Sequence, residues 1–411
     1  MQMNKKYESF RFDLSASHGV SHSTHRARVT AMRLSVGLST ALMFGSVAAN
    51  AQSSVTLYGI VDSGITYSNN AGGASQYQAS SGGRGSSRWG FKGVEDLGGG
   101  LAAIFQLENG FNITTGTSLQ NSREFGRMAV VGLKNGYGQL TLGRQDDVMV
   151  TYLGAYAASI QFGGSLAARA GDVDNGFADY KFNNAIKFVS NSFNGFSFGG
   201  LYAFGGVAGS IGQNQVWGLG AKYAAGPVSV AAAFHHINNP AVSYFDASAG
   251  AVANTTFTNP VTNPIFKGYA SATSIDSYGI GGSYVFGRST LAATLTRTQF
   301  NAVKKTTTTP VGGIDPVLSS AEVVYKFMLT PALALSSSYA YTKAEDAKYH
   351  QVSLGTQYFL SKRTSLYVIG AWQHASGTNS MGQKAVADLN LLTASTTANQ
   401  VAVKIGMAHA F

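Results

Sequence analysis

Five basic residues stand where they could act on a passing charge: Arg88, Lys92, Arg127, Lys181 and Lys187. Arg88 and Lys92 alternate with Trp89 and Phe91, so an extended segment puts the rings on one face and the cations on the other. By the same rule Met128 and Val130 oppose Arg127, and Phe182, Ile186 and Phe188 oppose Lys181 and Lys187. Cations gathered on one side of several strands, without a nucleophile among them, can select by charge; they do not catalyse. Catalytic constellations are weak elsewhere. His235 and His236 are adjacent, and neighbours on a strand point to opposite faces, so they form no metal clamp. Gly98-Gly99-Gly100 has no following Gly-Lys-Ser and reads as a turn. Serine, histidine and aspartate all occur, but no nucleophile-elbow spacing does. The reading is therefore of a chain that is not an enzyme and uses no cofactor or metal.

The elements that must position these cations are strands. At the C-terminus Val401, Val403, Ile405, Met407, His409 and Phe411 share one face, with Ala402, Lys404, Gly406, Ala408 and Ala410 on the other. Apolar groups on one side and small or charged groups on the other, at period two, are what a membrane-crossing β-strand presents to lipid and to a wet interior. Tyr278, Ile280, Gly282, Tyr284 and Phe286 repeat the pattern, as do Val352, Leu354, Thr356, Tyr358 and Leu360. A charge on the lipid side costs about 2–4 kcal/mol at the midplane, which fixes the phase wherever cations and aromatics alternate.

Turns and loops alternate in length. Tight links are expected at 95–98, 134–138, 191–195, 225–227, 286–288, 329–331 and 360–364. Longer polar segments are expected near 69–83, 113–122, 147–180, 206–213, 238–275, 301–318, 343–349 and 375–397. Seven short turns and eight long loops join about sixteen strands. All 7 prolines fall in these connections, as a closed barrel requires, because an unmade backbone bond in hydrocarbon costs several kcal/mol. The expected fold is all-β: a transmembrane antiparallel β-barrel.

An export leader precedes the barrel. Arg26, Arg28 and Arg33 lead into an uncharged stretch from Leu34 to Val47, and Ala49-Asn50-Ala51 offers small residues for cleavage after Ala51. The stretch is shorter than the roughly 20 residues a membrane helix needs. Residues 1–51 thus read as an N-terminal extension and cleaved signal peptide, with Met1 and Met32 both open as the start, and 52–411 as one barrel domain. Six of the 29 Lys and Arg and two of the 19 Asp and Glu lie in the leader, so residues 52–411 carry a net charge of +6. Basic runs there are no longer than Lys304-Lys305 or Lys362-Arg363, too dilute for a nucleic-acid partner. The chain has 0 cysteines, which removes disulfides and thiolate metal sites.

Four segments carry a family resemblance. Gln52-Ser-Ser-Val-Thr-Leu-Tyr-Gly-Ile-Val-Asp62, Ser87-Arg-Trp-Gly-Phe-Lys-Gly-Val-Glu-Asp-Leu-Gly98, Arg123-Glu-Phe-Gly-Arg-Met-Ala-Val-Val-Gly-Leu133 and Leu142-Gly-Arg-Gln145 are similar to the trimeric general-diffusion porins of Gram-negative outer membranes, β-proteobacterial branch. The resemblance implies sixteen strands, an outer-membrane location, a homotrimer and a long third loop folded into the lumen. It also implies a constriction whose wall carries basic groups at Arg88, Arg127 and Lys181, where Lys181 keeps the charge but loses the planar fork of an arginine. The facing acids would come from that loop, with Asp172, Asp174 and Asp179 available and Asp146 and Asp147 at its base. His409 and the terminal Phe411 match the family's assembly signal, though the basic residues common between them in relatives are missing here. A trimer would use the outward face near strands 1 to 5 and 16, where Gly59, Gly93, Gly126 and Gly132 permit close approach.

What the resemblance implies for function is a passive, water-filled channel for ions and small hydrophilic solutes, seated in outer-membrane lipid; the inward basic groups of strands 2, 4 and 6 add an expected mild preference for inorganic anions. A substrate-specific channel is the first alternative and a barrel enzyme a distant second.

Overall fold

The computed structural model describes residues 53–245 and 259–411. The leader and its cleavage point lie outside the described residues. In chain order the strands begin with β1 (Ser54–Ala71), β2 (Ala74–Ser81), β3 (Arg88–Gly98), β4 (Leu101–Gly110), β5 (Met128–Lys134) and β6 (Gly138–Gln145). After the third loop come β7 (Phe182–Ser190), β8 (Phe196–Ala203), β9 (Val216–Ala225), β10 (Val228–Asn238), β11 (Ser274–Phe286) and β12 (Ser289–Asn301). The set ends with β13 (Val317–Thr330), β14 (Leu333–Ala344), β15 (Ala347–Phe359), β16 (Thr364–Ser376) and β17 (Asn399–Ala410).

From β3 onward each strand pairs antiparallel with the next, and β17 pairs with β1 to close the sheet. β1 pairs with β3 along its first half and with β2 along its second, so β2 and β3 are two halves of one stave. The barrel has sixteen staves. Closure leaves no strand edge in lipid, which is why such a sheet can span a membrane at all. Phe411 completes it: its N–H donates to the Gly59 carbonyl at 3.0 Å and its carbonyl accepts from Gly59 N–H at 3.1 Å.

Alternation sorts the two faces. Ile280, Leu354 and Ile405 are each more than half exposed on the outside, while Gln351, Ser353, Gln400 and Ala402 on the inside are buried. Six of the seven expected tight links fall at hairpins as expected; the first is displaced, since 95–98 belong to β3 and the chain turns at Gly99-Gly100. At the first, Gly98, Gly99 and Gly100 all have positive φ (84°, 62° and 79°), a backbone that side chains with a Cβ resist.

Four further expectations are corrected. The segments near 69–83 and 343–349 are mostly strand, turning at Gly72-Gly73 and at Glu345-Asp346, because a ladder continuing into water needs no apolar face. In β5 the register sets Val130 opposite Gln106, and Val130 is buried while Val131 is 61% exposed, so Met128 and Val130 face inward. Ala129-Val130-Val131 is apolar on both sides and gives alternation no sign. Phe182 is buried inside, stacked on Tyr244 at 5.7 Å, because Asn184 at φ 52° and a register shift between Gly143 and Gln145 re-phase β7. Among the small outward positions, Phe411 covers Gly59 and Phe105 covers Gly93, while Gly132, opposite Thr141, faces inward.

The third loop lies on the inner face of the barrel. Its helix, Val148–Leu153, follows Asp147, whose Oδ1 accepts the Val150 N–H at 2.7 Å as an N-cap. Tyr152 sits so close to Gly220 that a Cβ there would fall 2.1 Å from its ring; Leu153 crowds Gly279 and Phe162 crowds Gly355 in the same way. Glycines at inward positions of β9, β11 and β15 thus form the bed on which the loop's large side chains are buried. Each such side chain contributes about 1.5–3 kcal/mol.

Candidate functional site

Arg88 and Arg127 meet at one carboxylate that the sequence reading did not single out. Glu108 on β4 accepts from Arg127 Nε at 2.6 Å and lies 3.7 Å from Arg88 Nε. It also accepts from the Tyr58 hydroxyl at 2.9 Å, while Gln106 Nε2 donates to that hydroxyl at 2.6 Å. The register explains the group: Tyr58 pairs with Gly90 and Gly90 with Glu108, so β1, β3 and β4 bring these side chains to one level of the lumen. Phe105 and Leu107 alternate with Gln106 and Glu108, so the phase rule applied to Arg88 could have found the acid. Arg127 precedes β5 and escapes that strand's phase, its N–H donating to the Glu108 carbonyl at 3.1 Å. Lys92, on the same inward face, lies over the Tyr58 ring at 5.4 Å.

Lys181 and Lys187 take a different place. Both are buried, and both serve the base of the third loop. Lys181 pairs with Asp146 and donates to the Ala178 carbonyl at 2.9 Å; Lys187 Nζ donates to the Asp146 carbonyl at 2.9 Å. Asp146 is held below the usual carboxylate range by Lys181 and Lys187, which outweigh the burial that opposes ionisation. Asp147 Oδ2 lies 3.3 Å from His235 Nδ1, whereas His236 Nδ1 is 2.7 Å from Asp276. The two histidines point to opposite faces, as strand geometry requires.

The loop acids are also divided. Asp174 is 2.8 Å from Arg169, and Arg169 continues to Glu322 on β13 at 3.1 Å and donates to Thr294 on β12 at 2.8 Å. This chain of ions pins the far end of the loop to the barrel wall. Asp172 accepts from the Phe177 N–H at 3.0 Å, and burial followed by its neighbours Asp174 and Asp179 pushes its carboxyl well above the usual range. Asp179 alone of the three is within electrostatic reach of Arg127 and Lys181; burial raises it to about 6 against their pull. Arg169 and Glu322 were missed because their pairing joins positions 153 residues apart.

Fold and site together define a class: a membrane-spanning antiparallel barrel whose lumen is lined by basic groups and occupied by one long loop. The profile described as Gram-negative porin matches residues 38–378, and the chain belongs to that family. It is 31% identical over 389 residues to an outer membrane porin protein of Bordetella pertussis, spanning 82% of this chain and 93% of that one. To outer membrane porin protein 32 of Delftia acidovorans it is 32% identical over 394 residues, 90% of this chain and 98% of the relative. The solved anion-selective porin from Comamonas acidovorans is similar with a TM-score of 0.67 and 27% identity, across 88% of this chain and 100% of that one. The protein is an outer-membrane porin, a passive channel and not a pump.

Proposed function

We propose that this porin passes small hydrophilic solutes and favours inorganic anions over cations, with Arg88, Arg127 and Lys92 as the basic side of its narrow zone. One observation carries the reading: two of the three loop acids that could oppose those cations are tied up. Asp174 is neutralised by Arg169 and burial pushes Asp172 toward the protonated form, while Asp179, raised only to about 6, keeps its charge at neutral pH and offsets Arg127 in part. Lys181 and Lys187 hold the loop's base and contribute field more than contact. The anion selectivity named for the Comamonas porin agrees in sign.

The reading includes export with cleavage after Ala51, a barrel domain from residue 52, assembly as a homotrimer in outer-membrane lipid, and a C-terminal assembly role for His409 and Phe411. It includes no catalytic step. His409 bonds Thr364 across β17 and β16 at 2.8 Å, and Phe411 closes the barrel, which is why loss of either should slow assembly. The decisive measurement is the reversal potential of the purified mature protein in a planar bilayer under a potassium chloride gradient. Ohmic single-channel steps with the sign of chloride preference are expected; a clear potassium preference would sink the proposal.

A further inference from the structure

Residues 82–87 interrupt the second stave between β2 and β3, and they are held on the lumen side by side chains from three other staves. Asp62 Oδ2 accepts the N–H groups of Arg84 and Gly85, each at 2.9 Å, and Asp62 Oδ1 accepts the Tyr367 hydroxyl at 2.6 Å. Lys404 donates to the carbonyls of Ser80 and Gly82. A Cβ on Gly83 would fall 2.1 Å from the Tyr367 hydroxyl, so only glycine lets the segment lie this close. The product is a fixed direction for the next side chain. Arg84 Nε donates to Gln357 Oε1 on β15 at 2.9 Å, and Gln357 Nε2 in turn donates to Ser365 Oγ at 3.0 Å, which sets the amide.

That arrangement consumes one edge of the guanidinium and leaves its two terminal nitrogens without a partner among the described residues. Lys326 of β13 has the inward phase, since Tyr325 and Phe327 belong to the outward face, and it lies within electrostatic reach of Arg84. Register puts Ser336 opposite Lys326 and Ala334 opposite Gln357, so only small side chains separate the two cations along the wall. Phe162 of the third loop packs on Gly355, next in that row, and bounds the space. Both cations are partly exposed, and neither has a carboxylate partner among the described residues. Asp62, the nearest acid to Arg84, already accepts three hydrogen bonds.

We propose that Arg84 and Lys326 form an anion-binding station on the β13–β15 wall, separate from the Glu108 cluster, that holds small oxyanions such as inorganic phosphate as they cross. Two like charges without a salt-bridge partner among the described residues raise the local potential, which Asp62 offsets only in part at Arg84, and the free fork of a pre-oriented guanidinium matches two oxygens of a phosphate or carboxylate. Arg88 and Arg127 differ because Glu108 already answers them. The inference deepens the anion-preference reading and rests on it.

The test is block of chloride current by inorganic phosphate at pH 8, read on single channels in planar bilayers for the wild type, Arg84→Gln, Lys326→Gln and Arg88→Gln. Phosphate is expected to reduce wild-type chloride conductance saturably. Arg84→Gln should weaken that block about tenfold, the size of one charge-assisted hydrogen bond, and Lys326→Gln about threefold, with open-channel steps retained. Because Arg84 also ties its segment to Gln357, Lys326→Gln is the variant that alters the station without touching that tie. The station is refuted if the wild type shows no saturable block, or if both variants keep wild-type block, whatever Arg88→Gln does. A wild type that prefers potassium sinks the selectivity reading itself, a result visible before any phosphate is added.

Discussion

From β8 to β12 the inward positions are largely glycine, alanine, serine and threonine, and the third loop lies on them; from β1 to β5 they include Tyr58, Arg88, Gln106, Glu108 and Arg127, and Arg88 stays a third exposed. Both stretches obey the same alternation. The first spends its inner face on packing: Tyr152, Leu153 and Tyr156 fill the space that glycines leave at Gly220, Gly279 and Gly281. The second spends it on charge. A bed without side chains lets a loop come close enough to exclude water, and a wall with long polar side chains keeps water and ions beside it. The comparison teaches that the passage is narrowed from one side and selective from the other, and that the two jobs can be disturbed separately.

Freeing the loop should have the largest effect. Arg169→Ala leaves Glu322 and Asp174 buried without their cation, a loss on the order of 3–5 kcal/mol where an ion pair is fully buried. Larger and noisier single-channel conductance is expected, with little change in the sign of selectivity; quiet steps of wild-type size would mean the loop is held by its packing alone. Gly220→Leu attacks the same side sterically, because its side chain must enter the Tyr152 ring. Lower yield of folded barrel and altered conductance should follow, measured against Leu219→Ala on the lipid face as the control.

On the charged side, Arg88→Ala and Arg127→Ala should each raise conductance and reduce the chloride-to-potassium permeability ratio by about threefold, as expected for removal of one wall charge in a hydrated pore. Glu108→Gln should move the ratio the other way, because it unmasks both arginines; a fall in chloride preference would show that Glu108 serves mainly to hold them in place. The smallest effect belongs to pH. Asp179 takes up its proton as pH falls through about 6, removing one negative charge near Arg127, so chloride preference should rise modestly between pH 8 and pH 5. Asp179→Asn should flatten that rise.

Much of the barrel was legible without coordinates. Trp89 and Phe91 against Arg88 and Lys92, or Val401 to Phe411 against Ala402 to Ala410, combine opposite costs in lipid and water at period two, and such strands lie as read. Where both faces are apolar, as at Ala129-Val130-Val131, the phase came out reversed. Where a bulge intervenes, as at Asn184, it broke between Phe182 and Ile186. Segments near 69–83 and 343–349 read as loops in sequence because composition alone cannot tell a hydrated hairpin from a coil.

By itself, the sequence determined that the chain would close into a barrel and, on strands where charged or polar residues alternate with apolar ones, which residues would meet lipid and which cations would face inward, because those follow from a repeat of two residues and the cost of charge in hydrocarbon. Only the tertiary structure decided that Glu108 would answer both arginines, that Lys181 and Lys187 would be spent on the third loop, and that Arg84 would reach Gln357. Those pairings depend on register between staves and on an interruption within one of them, and each joins groups whose separation along the chain carries no periodic signal.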